Sequence, residues 1–153
     1  MVRRLLSSCA LLVAVACTSS EVATPGGCPT GTVGFGAGRH LQVQIAEDRE
    51  SQAEGLMGVT ELAPDAGMAF LYPAPTTGTF WMKNTLIPLS IAFADAHGRI
   101  VTIREMAPCE ADPCVTYRPD APYTMAIEAN AGWFGEQGIE VGDRARLQRA
   151  SCR

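Results

Sequence analysis

The residues best suited to chemistry fall within one short segment, "TFWMKNTLIPLSIAF", Thr79 to Phe93. Eleven of the chain's twelve basic residues are arginines, and the one lysine, Lys83, sits here between Met82 and Asn84 in an otherwise apolar run. In a strand successive side chains point to opposite faces, so Phe80 and Met82 turn one way and Trp81 and Lys83 the other. An indole beside an ammonium, with Asn84 and Thr85 at the following turn, makes a shallow recognition surface for a sugar or a carboxylate. The plainer reading has Trp81 closing a barrel mouth while Lys83 lies along it with its charge in water. That plainer reading is preferred for the pair itself, and what keeps recognition open is the lysine count, because a chain that otherwise uses arginine has placed a compact, rotatable ammonium at this one point.

Catalytic signatures are sparse. There is no Gly-x-Ser-x-Gly, no Ser-His-Asp logic, no paired histidine ligands and no phosphate loop, so no cofactor is expected. Glu128 and Asp95 are carboxylates that would serve as acid and base, and Lys83 with Glu128 would suit a hydrolase or lyase acting on an envelope glycan. His40 and His97 have no partner at ligand spacing and read as solvated. Met57, Met68, Met82, Met106 and Met125 offer thioethers for Cu(I), but their apolar contexts and the lack of a Met-x-x-Met spacing point to core packing.

The cysteines speak about compartment. "MVRRLLSSCALLVAVACTSS" begins with two arginines, continues with a short apolar stretch and ends in small residues before Cys17. That is a secretory signal over residues 1–16, too short to span a bilayer. Its "AVAC" end is similar to a bacterial lipobox, which makes Cys17 the lipidated first residue of the mature chain; the alternative is an ordinary signal cut near Ala16. Losing Arg3 and Arg4 leaves 10 basic against 16 acidic residues, a net charge of -6, which suits no nucleic-acid binder. Cys28, Cys109, Cys114 and Cys152 remain, an even number that reads as two disulfides in an oxidising compartment. Three pairings are open; "PCEADPC" favours local closure of Cys109 with Cys114, leaving Cys28 for Cys152. A zinc site is the weaker alternative, since neither pair has ligand spacing.

These residues need elements to position them. Residues 17–40, rich in Gly, Ser, Thr and Pro, read as a flexible tether. Leu41, Val43 and Ile45 alternate with glutamines as a half-buried strand does. "EDRESQAEGLMG" predicts a short helix stopped by Gly58, and "GMAFLY" a strand closed by Pro73 and Pro75. Strands near Thr79 to Met82 and Leu89 to Asp95 follow, then "DAHG" as a hairpin turn into "RIVTIRE", where Val101 and Ile103 share a face. Ala107 to Pro122 is a long, proline-rich stapled loop. "YTMAIEA" predicts a strand, "NAGWFGEQG" a helix capped by Asn130 and stopped by Gly138, and "RARLQ" a last strand, with residues 150–153 as a tail. The expected fold is mainly β: a single antiparallel sandwich or barrel over residues 41–149 with two short helices.

The strings "GLMG", "DAGMAFLY", "FWMKNTLIPLSIAFAD", "GRIV", "PCEADPC" and "EANAGWFGEQGIEVGD" resemble the successive signatures of domain-of-unknown-function family 192. The resemblance covers roughly Leu41 to Leu147 and implies a compact fold similar to a jelly roll, often behind an export signal, with no established activity. The chain departs from the family's pattern twice, with Gly58-Val59 where an arginine is common and Ser90 where an aspartate is common. The expectation is therefore an exported, membrane-anchored envelope lipoprotein facing the periplasm or cell surface. It would act as a binding or accessory module for a small molecule, glycan or envelope protein through Trp81, Lys83, Asn84, Thr85 and Glu128. The alternative is the glycan hydrolase or lyase.

Overall fold

Leu41, Val43 and Ile45 are buried while Gln42 and Gln44 face solvent, which is the alternation their sequence predicts. The computed structural model describes residues 29–151. Along the chain run β1 (Thr30–Gly34), β2 (His40–Ala46), α1 (Arg49–Glu54), β3 (Ala66–Thr76), β4 (Phe80–Trp81), β5 (Leu89–Ala94), β6 (Ile100–Met106), β7 (Thr116–Tyr117), β8 (Tyr123–Asn130), α2 (Trp133–Glu136) and β9 (Arg146–Arg149). Seven strands form one sheet in the order β6-β5-β8-β3-β2-β1-β9, and β4 pairs with β7 in a small second sheet. The fold is mainly β and sandwich-like, not a closed barrel.

The sheet is mixed rather than antiparallel, because β2 and β3 run parallel. Parallel neighbours need a long return path, and residues 47–65, which contain α1, supply it. The expected tether over residues 17–40 is also corrected over its last part: β1 pairs with β2 on one side and β9 on the other. Val33 and Phe35 enter the core there. A Gly- and Thr-rich segment is a poor strand by propensity, but two neighbours that complete its hydrogen bonds override that preference. Gly31 lies so close to the Gln148 carbonyl that a Cβ would collide with it. Cys17, Cys28 and Cys152, with the signal segment, lie outside the described residues.

Three local readings change as well. α1 starts where Asp48 accepts from the Glu50 and Ser51 N–H groups and ends at Gly55, whose φ of 51° only glycine adopts readily, three residues before the expected Gly58. Pro73 and Pro75 lie inside β3, in the stretch where its pairing with β8 is interrupted between Leu71 and Thr76 and no ladder donor is required of them. Asn130 ends β8 instead of capping α2. Its amide donates to the backbone carbonyls of Leu62, Ala63 and Pro64, and Gly132 takes the cap position.

Both faces of the sheet are covered. Met125, Ile127 and Ala129 of β8 belong to one apolar cluster with Phe35, Trp133 and Phe134; Ala126 belongs to the other, with Phe70, Phe93, Met82 and Leu56. Val101 and Ile103 divide between the two clusters despite their even spacing. Next to them the pairing of β5 with β6 shifts register at Phe93 and Ala94.

Candidate functional site

β4 and β7 form a flap over the second cluster. Phe80 points inward, with its ring 5.0 Å from Phe70 and 5.6 Å from Phe93, and Met82 is fully buried. Trp81 points out and is 51% exposed. Lys83 shares the outward side, as expected from strand alternation. Its Nζ lies 5.6 Å from the centre of the Trp81 ring and 3.1 Å from Asp112 Oδ2 in the loop closed by the Cys109 to Cys114 disulfide. Both partners of this ion pair are substantially exposed, so it contributes about 0.2–1 kcal/mol. The lone lysine thus bridges flap and loop.

Asn84 serves the turn. Its φ of 57° is left-handed, a conformation asparagine tolerates better than most residues, and its carbonyl accepts from the Gly58 N–H at 2.9 Å. Its amide approaches the Met57 sulfur at 3.9 Å. Thr85 closes the same turn through its N–H to the Met82 carbonyl at 3.1 Å and is buried.

Glu128 is the exception in this chemistry. It sits in β8, directly between Met68 of β3 and Ile91 of β5. Only 5% of it is exposed, its carboxyl takes no part in the side-chain hydrogen bonds of the described residues, and what remains accessible of it opens on the cleft described below, so no oxygen is sealed away unpartnered. Burial alone pushes its pKa up to about 8, because the apolar surroundings disfavour the charged form.

A cleft of about 40 Å3 opens where Glu128 meets the flap, between the carboxyl end of α1 and β4. Phe70, Phe80, Leu56, Trp81 and Thr85 complete its walls. Trp81, Thr85 and Glu128 are therefore brought together, whereas Lys83 and Asn84 stand outside. Sequence reasoning missed the α1 side, with Gln52, Glu54 and Leu56, and it missed Asp112 as the partner of Lys83. Larger hollows lie beneath the disulfide loop, about 180 Å3, and beside α1, about 340 Å3, but no buried ionisable side chain lines either.

Other candidates resolve into structure. Burial raises the pKa of Asp95, but hydrogen bonds from the Arg99 and His97 N–H groups at 2.9 and 2.8 Å outweigh it and hold the carboxyl below its usual range; Asp95 caps a turn. Cys109, Asp112 and Cys114 cluster closely enough for a metal ion, yet the two sulfurs are bonded to each other. Met68, Met82 and Met106 fill one core cluster and Met125 the other. Ser90, which stands where the family pattern commonly has an aspartate, donates to Glu105 across the β5–β6 pair and accepts from the Gly132 N–H at 2.8 Å, so a neighbouring strand supplies the carboxylate.

Residues 33–147 match the family DUF192, described as "Uncharacterized ACR". The chain belongs to this family. Its fold is similar to that of a protein of unknown function from Novosphingobium aromaticivorans DSM 12444, at 32% identity and a TM-score of 0.69 over 84% of this chain and 96% of that one. It is also similar to a Sinorhizobium meliloti 1021 protein described as a candidate transcription regulator, at 30% identity and a TM-score of 0.66 over 77% of this chain and 92% of that one. No curated protein matches it.

Proposed function

We propose that this DUF192 domain is a small-ligand binding module of the cell envelope, with the cleft between α1 and β4 as its site. One observation carries the reading: a carboxyl without a hydrogen bond in the middle of a sheet, at the floor of an opening edged by an exposed tryptophan. The carboxyl keeps its access to the cleft, so it is not sealed off without a partner, and a carboxyl that apolar surroundings hold toward its neutral form inside an opening marks a site rather than a scaffold. The glycan hydrolase or lyase loses support, because Lys83 is engaged with Asp112 and does not line the cleft that Glu128 lines. A regulator that contacts DNA is disfavoured by the formal net charge of -4.

The test is a fragment screen read by backbone amide NMR shifts of the cleft residues, Thr85 and Leu56 among them, repeated with Trp81→Ala and Glu128→Gln. Hits that survive both substitutions would place binding elsewhere and end this proposal.

Envelope location rests on the signal-like first 16 residues and on Cys17 as lipid acceptor. Cys17→Ser is expected to release the protein from the membrane fraction, and retention would remove the anchor. A Cys28 to Cys152 bridge gains support from the edge of the sheet. Gly31 faces Arg149, and the Ala150 N–H donates to the Thr30 carbonyl at 3.0 Å, so the ends of the described chain run side by side. Peptide mapping without reductant checks the pairing, which any other partner for Cys28 would refute.

A further inference from the structure

The cleft is specific in what it lacks. No lysine, arginine or histidine lines it, and the element that closes it presents its carboxyl end, so an anion would find no positive partner there. The Gln52 amide is already committed to the Leu71 carbonyl at 2.7 Å. What the cleft offers is a free carboxyl at the floor, Glu54 at the rim, the Thr85 hydroxyl, and the aromatic rings of Phe70, Phe80 and Trp81. Carboxylate, hydroxyl and ring faces together are the chemistry that receives an organic cation. Size narrows the choice, since about 40 Å3 is far below the roughly 300–1,000 Å3 of pockets that enclose a whole small molecule. The cleft has room for a head group and none for a whole ligand.

We infer that the cleft takes the primary ammonium head of an alkylamine, with its nitrogen on Glu128 and its first methylenes against Phe80 and Trp81. This rests on the reading of the cleft as the binding site. The amine would arrive either free or as a lysine side chain of another protein, and the recognition chemistry is the same.

The inference carries a proton signature. The titratable groups facing Glu128 are Glu54 from α1 and Tyr72 from β3; β4 contributes Trp81 and no charge. Burial raises the pKa of Tyr72 too, so that phenol stays neutral near pH 7. Glu128 is therefore mostly protonated in the empty protein, with its pKa up to about 8, and must give up its proton to hold an ammonium. Amine binding should release roughly 0.9 proton at pH 7, and affinity should rise about tenfold per pH unit until it levels near pH 8. A neutral carbonyl ligand, which would accept from the protonated acid, behaves oppositely and weakens above pH 8.

The experiment titrates the intact domain with n-butylammonium chloride, N-acetyl-lysine methylamide, butan-1-ol and N-methylacetamide at pH 6, 7, 8 and 9. The readouts are the Trp81 and Thr85 NMR signals, with calorimetry in two buffers to count protons. The expected result is amine binding that strengthens with pH, is at least tenfold weaker and insensitive to pH in Glu128→Gln, and is not matched by butan-1-ol. Thermal melts establish that the variant is folded, and the pH profile of the unaltered protein is a second readout that needs no variant. Binding by both amines indicates a free amine as source, and binding by the lysine derivative alone a protein partner; both support the inference. Equal binding of amine and alcohol, or amine affinity flat with pH, would overturn it. N-methylacetamide binding that needs Glu128 while the amines fail would remove the ammonium and keep the cleft as the site. Silence of the Trp81 and Thr85 signals toward all four probes would remove the ammonium head and weaken the cleft reading with it.

Discussion

On the α2 side of β8, Met125, Ile127 and Ala129 pack beneath Phe35, Trp133 and Phe134, whose rings meet at 5.3–5.9 Å. Polar groups on that side have partners: the Trp133 indole donates to Asp65 at 3.0 Å, and Ser90 joins Glu105 to the Gly132 N–H. On the α1 side, Phe70, Phe80, Phe93 and Tyr123 make a comparable ring cluster at 4.9–6.4 Å, and Tyr123 donates to the Gly78 carbonyl at 3.1 Å. There, however, the strand carries Glu128, and no donor meets it. Two faces built from the same materials differ in one unpaired group, and that difference separates a scaffold face from one open to a ligand.

The strongest challenge to the comparison is Phe134→Ala, which empties a fully buried ring from the sealed face. A loss of about 3–5 kcal/mol is expected in chemical denaturation, with binding at the cleft kept in the folded fraction. Simultaneous loss of cleft binding would mean that the faces are not independent.

Next in size is Glu128→Gln. The folded state holds a proton that the unfolded chain releases above about pH 4.5, so the contribution of Glu128 to stability is fully present below pH 4.5 and is lost as pH rises to about 8. The drop in the unaltered protein is on the order of a few kcal/mol, and the variant should lack it. Denaturation curves from pH 4 to 9 for both proteins measure the difference, and parallel curves would return Glu128 to an ordinary paired carboxylate.

Smaller again is the disulfide loop. Replacing Cys109 and Cys114 together by serine should cost about 2 kcal/mol, the value for a short closed loop, and free Asp112 from Lys83. The smallest effect is expected at Lys83 itself, where Lys83→Arg and Lys83→Met should each shift stability by less than about 1 kcal/mol, because the pair with Asp112 is solvent-screened. A larger loss on Lys83→Arg alone would restore the lysine to the site.

The strands whose sides differ in polarity could be read from the chain. Leu41, Val43 and Ile45 announce β2, and a single acid in "MAIEA" marks Glu128 as a charge in a run with no polar face to carry it. β1 was illegible because its residues are weak strand formers, held by neighbours that only tertiary structure supplies. The direction of β3 relative to β2 was equally hidden, since alternation looks the same either way. Lys83 was visible as an oddity, but Asp112 is 29 residues away across a proline-rich loop, and no local pattern links them.

β8 lies between β3 and β5 yet comes after both in the chain. Until residues 123–130 are available, nothing joins the β6-β5 pair to the β3-β2-β1 strands, and β3 and β5 each lack the neighbour that completes their hydrogen bonds. Pairings of such long sequence separation form slowly, and unpaired edges of this kind invite association with other chains. The acid that β8 carries to the centre of the sheet can be enclosed only when both β3 and β5 have paired with that strand.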